Sequence, residues 1–221
     1  MRGVRGVREG ERVRGPYDRN TCNISNMNLA VIQYNAGNIR SVLFALDRLG
    51  VKADLTGDPD RIRRADKVIF PGVGEANTTM RFLREKGLDE VIRSLRQPVL
   101  GICLGMQLLC DHSEENDTEC LGIIPQHVRL FRPESGEKVP HMGWNTLELS
   151  PDSWLSPDLQ DQFVYFVHSY YVEPGPYTAA TTRYVQPFSS VVRKDNFYAT
   201  QFHPEKSGKV GEAILRTFLK I

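Results

Sequence analysis

"PVLGICLGMQLLC", residues 98–110, joins an apolar strand-like run to a helix-like one and sets a cysteine between two glycines at the junction. Pro98–Ile102 is a short apolar run bounded by a proline, as expected of a strand buried on both faces. Leu104–Asp111 is expected to continue as a helix. The spacing Gly101-Ile102-Cys103-Leu104-Gly105 is that of a nucleophile elbow, where small flanking residues permit a sharp turn and the central side chain stands above the sheet. Unpaired amides and the dipole at the start of the helix would favour a thiolate over a thiol. A cysteine is also often just a small buried hydrophobe. The pentapeptide alone leaves both readings open.

The same alternation extends outward from the elbow. Strands are expected at Leu29–Tyr34, Val51–Leu55 and Lys67–Phe70, and helices at Ile39–Leu49 and Thr78–Lys86. Strands alternating with amphipathic stretches imply a parallel sheet covered on both sides. Further along, "IIPQHVRLF", "TLELS", "FVYFVHSYYV", "SSVVRK" and "NFYATQF" are strand-like, and "GKVGEAILRTFLKI" has the pattern of a closing helix. The expected fold is α/β: a doubly wound, flavodoxin-like mixed sheet with helices on both faces, forming one domain over residues 27–221 with no internal boundary.

Composition supports a globular domain, with 40% apolar and 25% charged residues among 221. The net charge of +1 is unevenly spread: residues 1–26 carry a surplus of three positive charges from six arginines, so the rest is slightly acidic, with no basic stripe suited to nucleic acid. That segment repeats "RGVRG" and "VRG" without apolar periodicity, and is expected to be a disordered extension ahead of the fold. A transit peptide or a translation start at Met27 are the other readings of it. No apolar run approaches the roughly 18 residues of a membrane span, and no signal-type apolar region is present, which points to a cytoplasmic protein with free thiols. The four cysteines lack the paired short spacing of a zinc site, so Cys110, His112 and Cys120 are a weak ligand set and no metal is expected.

"QFHPEKSG", residues 201–208, supplies what the elbow needs. His203 and Glu205 are two apart, and Pro204 biases His203 toward extended backbone, so both side chains should project from one side. The glutamate can then orient the imidazole, and the imidazole can serve the thiol, in chain order Cys, His, Glu. His112, His127, His141 and His168 have no such partner and are expected to be surface or packing residues. Oxyanion donors could come from Pro71-Gly72-Val73-Gly74, whose glycines can present backbone amides where strand Lys67–Phe70 ends. An ordinary β-turn is the plainer reading of that stretch. No GxGxxG or Walker lysine loop follows any strand.

Together these segments resemble the class I, triad-type glutamine amidotransferases over residues 27–221. Within that family "PGVG" at 71–74, "PHMGWN" at 140–145, "FVHSYY" at 166–171 and "QFHPEKSG" are similar to glutaminase subunits of imidazole glycerol phosphate synthases. The resemblance implies Cys103 as nucleophile, His203 as acid and base, and Glu205 as its orienting partner. It implies an oxyanion hole from the backbone amides of Val73 and Leu104, the former able to switch orientation between its glycines. Gly74, Gln107, Ser169 and Tyr170 would surround bound glutamine. It further implies no cofactor, and a heterodimer with a separate (β/α)8-barrel cyclase that receives the ammonia, with Lys206 and the carboxyl-edge loops as contacts.

Three other functions fit parts of the pattern. A glutaminase serving another acceptor such as chorismate is disfavoured by "PHMGWN" with "PGVG". A noncatalytic subunit would retain the fold without a reactive thiol. A Cys–His peptidase or γ-glutamyl hydrolase would need no partner. The arginine-rich segment yields a separate expectation: deleting residues 1–26 should leave the thermal unfolding midpoint nearly unchanged, and a loss of several degrees would show that it docks on the core.

Overall fold

The computed structural model describes residues 27–34, 39–72, 74–134 and 136–221, so the expected disorder of residues 1–26 falls outside what it describes. Strands β1 (Leu29–Ile32), β2 (Ala53–Thr56), β3 (Lys67–Phe70) and β4 (Val99–Ile102) form a parallel block in the order β2-β1-β3-β4. β14 (Phe197–Thr200) adds parallel to β4. Beyond it the sheet continues antiparallel through β13 (Gln186–Lys194), β11 (Tyr170–Val172) and β7 (Ile124–Leu130). β5 (Cys110–Ser113) pairs parallel with β7 and antiparallel with β6 (Thr118–Glu119). β12 (Thr178–Tyr184) lies on β13 and carries β9 (Glu148–Leu149). Among the described residues a separate antiparallel ribbon is made by β8 (His141–Thr146) and β10 (Phe163–His168).

The central parallel strands β1, β3 and β4 are short and largely apolar because both faces are covered, so successive side chains serve different cores, whereas β2 at the edge, Ala-Asp-Leu-Thr, is mostly half-buried. Ala30 and Ile32 of β1 join α2 (Pro59–Arg64), α3 (Ala76–Glu85) and α4 (Leu88–Ser94) in one cluster. Leu29 and Val31 face α1 (Ile39–Arg48) and α6 (Gly208–Lys220) in the other. The mixed sheet with helices on both faces is thus the expected α/β architecture. A third, aromatic-rich core of Phe131, Phe166, Phe188 and Phe202 lies under the ribbon.

The structure departs from the sequence reading where tertiary pairing overrides local pattern. The expected helix Leu104–Asp111 stops at Leu108 as α5 (Leu104–Leu108), and Cys110–Ser113 turns into β5 because β7 offers it a ladder. Strand Val51–Leu55 is displaced to Ala53–Thr56. Helix α3 begins at Ala76, two residues before the expected Thr78, since the Glu75 carboxylate accepts from the Asn77 and Thr78 amides. α2 was not anticipated, although Asp58 as cap and Pro59 in the first turn mark its start. Among the described residues no helix is long and apolar enough to cross a membrane.

The elbow is locked by close backbone contact between β3 and α5. A Cβ on Gly105 would lie 2.1 Å from the Phe70 carbonyl oxygen, and one on Gly72 would lie 2.2 Å from the Gly105 nitrogen. Neither neighbour is a flexible side chain that could swing away. Gly105→Ala should therefore destabilise the chain by roughly 2–3 kcal/mol, at the upper end for overpacking. Urea unfolding reads this, and an unchanged midpoint would show that the contact is not tight.

Candidate active site

Strand register assembles the site at the carboxyl edge of the sheet. Ile102 pairs with Thr200 and Phe70 with Gly101, so the residues following β3, β4 and β14 emerge side by side. Cys103 is fastened there by its N–H, which donates to the Thr200 carbonyl at 2.7 Å. Its backbone takes φ 52°, ψ −108°, a region that non-glycine residues rarely occupy. Strain of this kind persists only where surroundings enforce it, and it marks functional turns. Helix α5 is only five residues long, so it supplies few aligned dipoles, and the charge opposite the sulfur comes from elsewhere.

That charge is His203. Its Nδ1 lies 2.8 Å from Glu205 Oε1, and the histidine lines the same pocket as Cys103, whose sulfur lies 4.0 Å from the Val167 carbonyl and 3.8 Å from Gln201 Nε2. With Nδ1 committed to the carboxylate, Nε2 is the nitrogen left for the thiol. Burial by itself pulls the imidazolium down, but the hydrogen bonds and charges of Cys103 and Glu205 outweigh it and push His203 up to about 10. Glu205 Oε2 is buried without a hydrogen-bond partner among the described residues, so its charge has the imidazolium as its close counterpart. The chain before and after the histidine is pinned: His203 N–H donates to the Tyr165 carbonyl, and Ser207 Oγ–H to the His203 carbonyl. Tyr165 N–H in turn donates to Ser207 Oγ, which ties β10 to this turn.

Above the thiol opens a pocket of about 370 Å³ lined by Cys103, Leu104, Gln107, Gly74, Ser169 and Tyr170, with His203 and Lys206 at one side. Every anticipated site residue that is described lines this pocket, apart from Glu205 directly behind His203. Val73, anticipated as an oxyanion donor, falls outside the described residues. Leu104 is the first residue of α5, so its N–H has no intrahelical acceptor. Gln107 Nε2 donates to the Tyr170 carbonyl at 2.8 Å and to Gln201 Oε1 at 3.1 Å. Both amide hydrogens are thereby used, and Oε1 is the end left to accept from a ligand.

Sequence reasoning did not single out Glu115, Gln201, Val167 or Pro140 as site residues, and named Gly72 only as part of the Pro71-Gly72-Val73-Gly74 turn. Glu115 lines the pocket and accepts from the Ala76 amide at 2.8 Å; burial pushes its carboxyl up against the opposing pull of that bond. It sits in a loop after β5 with no spacing signal. Gln201 stands two residues before His203 of the HPE segment, the only hint it gave. Cys110, His112 and Cys120 do not converge on a common point. His112 Nε2 pairs with Asp117 at 2.8 Å, and among the described residues no cluster of three His, Cys, Asp or Glu side chains is placed to hold a metal ion.

A cysteine on a strand-to-helix elbow, a histidine held by a buried glutamate and a pocket above them lie together at the carboxyl edge of an α/β sheet. The chain belongs to the class-I glutamine amidotransferases, whose family profile matches residues 30–221. It is 59% identical over 196 residues to imidazole glycerol phosphate synthase subunit HisH of Bacteroides fragilis, covering 88% of this chain and 100% of that one. The HisH subunit of Idiomarina loihiensis is 49% identical over 195 residues, at 88% and 98% coverage. Among solved structures, a glutamine amidotransferase matches with a TM-score of 0.66 at 22% identity, covering 86% of this chain and 96% of that one. PurLQS from Thermotoga maritima matches with a TM-score of 0.61 at 18% identity, covering 87% and 97%. At these identities the structures bear on the fold alone.

Two further histidines are buried as packing residues, His168 on the pocket wall and His141 behind it. His168 Nδ1 faces the Tyr170 carbonyl at 2.7 Å, which can only accept, so Nδ1 carries the proton and Nε2 the lone pair. His141 Nδ1 must then donate to that lone pair at 3.2 Å, and its Nε2 accepts from Asn145 at 3.5 Å. His141 also stacks between Phe166 and Tyr184 at 4.8 and 4.0 Å. Burial pushes His141 down to about 4, and burial, offset in part by the Tyr170 carbonyl, takes His168 down to about 3. For groups depressed on folding, stability is fully present above the unfolded value of 6.5 and is lost as pH falls through it toward 4 and 3. His203 has the opposite sign: its contribution is present below 6.5 and is lost as pH rises toward about 10. Stability should therefore peak near neutrality. Between pH 6.5 and 4.5 it should fall by about 1.4 kcal/mol per pH unit for each buried histidine that titrates. Urea midpoints across that range should show a shallower slope for His141→Gln; identical slopes would mean that His141 does not titrate there.

Proposed function

We infer that the chain is the glutaminase subunit of an imidazole glycerol phosphate synthase, releasing ammonia from glutamine in histidine biosynthesis. The observation that carries the chemistry is the buried Cys103–His203–Glu205 array beneath the pocket, with His203 held as an imidazolium beside the sulfur. The Cys103 thiolate attacks the carboxamide carbon of glutamine. His203 passes its proton to the amide nitrogen, so that the C–N bond breaks with ammonia, not an anionic amide, as leaving group. The γ-glutamyl thioester is then hydrolysed by a water whose proton returns to His203, and the C–S bond breaks to give glutamate. The Leu104 amide, with that of Val73, stabilises the oxyanion in both steps. The acidic wall formed by Glu115 and the free oxygen of Gln107 suit the amino-acid ammonium of the substrate, and Ser169, Tyr170 and Gly74 line the same end.

The ammonia passes to a separate barrel cyclase, which makes imidazole glycerol phosphate and aminoimidazole carboxamide ribotide. The β8–β10 ribbon supports this assignment of a partner. It exposes Met142 (64%), Trp144 (55%) and Phe163 (57%), large apolar side chains on a ribbon whose Val167–His168 end lines the pocket. Lys206 lies 6.0 Å from the Tyr165 ring on the same ribbon, so charge and apolar surface adjoin. The ribbon is hydrogen-bonded to the His203 turn, so a partner seated on it bears directly on the catalytic backbone.

Glutamine hydrolysis by purified chains tests the assignment. Cys103→Ala should abolish turnover, and His203→Ala should lower it by about 10²–10⁴, the usual worth of a general acid and base. Glu205→Gln should retain more activity than His203→Ala, since orientation suffers while the base survives. Adding a cyclase and a nonreactive ligand of that cyclase should raise turnover on the order of 10²–10³, the worth of one oxyanion donor. Equal turnover alone, with cyclase and with liganded cyclase would favour an independent glutaminase.

A further inference from the structure

Gln201 follows β14 directly, at the level of Cys103 after β4, because Ile102 and Thr200 are partners across the parallel ladder. It is wholly buried, at 0% exposure, and both ends of its amide need partners. Oε1 accepts from Gln107 Nε2 at 3.1 Å, and Nε2 donates toward Cys103 Sγ at 3.8 Å, a reach suited to sulfur. The surroundings dictate this orientation. The Tyr170 carbonyl, an acceptor only, takes hydrogens from both His168 Nδ1 and Gln107 Nε2. That turns the Gln107 nitrogen toward Tyr170 and Gln201, so Gln201 must offer oxygen to Gln107 and nitrogen to the sulfur. Reversing both amides would set Gln107 Oε1 against the Tyr170 carbonyl oxygen.

We propose that Gln201 is a positioning residue of the glutaminase reaction, holding an N–H on the Cys103 sulfur with one end of its amide and fixing the Gln107 side chain with the other. The proposal rests on Cys103 being the nucleophile. A hydrogen bond to an ionised acceptor is stronger than one to its neutral form, so this donor stabilises the thiolate selectively and adds to the effect of His203. Besides His203, backed by Glu205, the titratable groups on the pocket wall around the sulfur are His168, Glu115, Tyr170 and Lys206. Fixing Gln107 leaves its oxygen available to the substrate, so one buried amide couples nucleophile activation to substrate binding. The two roles can be separated by substitution. Gln201→Glu keeps the acceptor for Gln107 and loses the N–H, whereas Gln201→Met keeps the bulk and loses both.

The test is the pH profile of Cys103 alkylation by iodoacetamide. It uses the full chain carrying Cys22→Ser, with Cys110 and Cys120 buried and Cys103→Ser as the blank. The profile of Gln201→Met should move to higher pH by about one unit, slowing alkylation at neutral pH roughly tenfold, and that of Gln201→Glu should move at least as far. KM for glutamine should rise in Gln201→Met and much less in Gln201→Glu. Profiles that superimpose on that of the parent chain, in folded variants that still turn over glutamine, overturn the proposal alone. A parent chain with no turnover at all overturns the glutaminase assignment, and the proposal with it. Should neither variant fold, the parent chain decides: the ¹⁵N side-chain amide resonance of Gln201 should shift with the midpoint of Cys103 alkylation and cease to do so in Cys103→Ser. A resonance indifferent to that titration overturns the proposal.

Discussion

The parallel pairing of β4 with β14 is the constraint on which the site depends. Ile102 opposite Thr200 brings the ends of two strands, about a hundred residues apart in sequence, to one level, and the Cys103 N–H is anchored on the Thr200 carbonyl. From that register Cys103, its buried amide neighbour Gln201 and His203 follow within three residues of each strand end. A slip of one residue would send every side chain to the opposite face. What opposes this is close packing on both faces, since Leu100 and Ile102 fill one core and Val99 the other, and a slip would put each in a space shaped for a different side chain. Packing energy in the sheet is therefore what sets the geometry at its edge.

The electrostatics of the site then divide four buried groups by partner and not by depth. His203 and Glu205 are buried as a charged pair, each the other's close counterpart, with the sulfur drawn into the same balance. His141 and His168 are buried as a neutral pair, each proton aimed at a lone pair and the last of them at the Tyr170 carbonyl. A charge on His168 would oppose the one on His203, and that repulsion is among the causes that hold His168 down. The neutral pair thus leaves the imidazolium as the positive charge next to the thiol. It also anchors the carbonyl that orients Gln107. His141, His168, Gln107 and Gln201 are thus parts of one hydrogen-bonded wall beside Cys103.

Much of this was legible in the amino-acid sequence because it is carried by short-range signals. "GICLG" announced the turn through its glycines, and "HPE" announced the buried pair through spacing and the proline. The strands β1, β3, β4 and β14 were plain as apolar runs too short for helices. What was missed depends on partners distant in the chain. The end of α5 is set by the ladder that β7 offers to Cys110–Ser113, and β12, "TAATTRY", has neither strong alternation nor bulk and exists because β13 pairs with it. Glu115 reaches the pocket only through the β5–β6 turn, and Gln201 gains its meaning from Gln107 and Tyr170, so neither residue type nor spacing could reveal them.

If Cys103 carries the acyl group of glutamine during turnover, acid quenching of the chain with its cyclase in the steady state, followed by peptide mass spectrometry, will catch it there. The peptide containing Cys103 should bear a γ-glutamyl group in thioester linkage, removed by hydroxylamine and absent when His203 and Glu205 are intact but Cys103 is alanine. Active turnover with no acyl group on Cys103, under conditions in which a control thioester survives the quench, would contradict that role for Cys103.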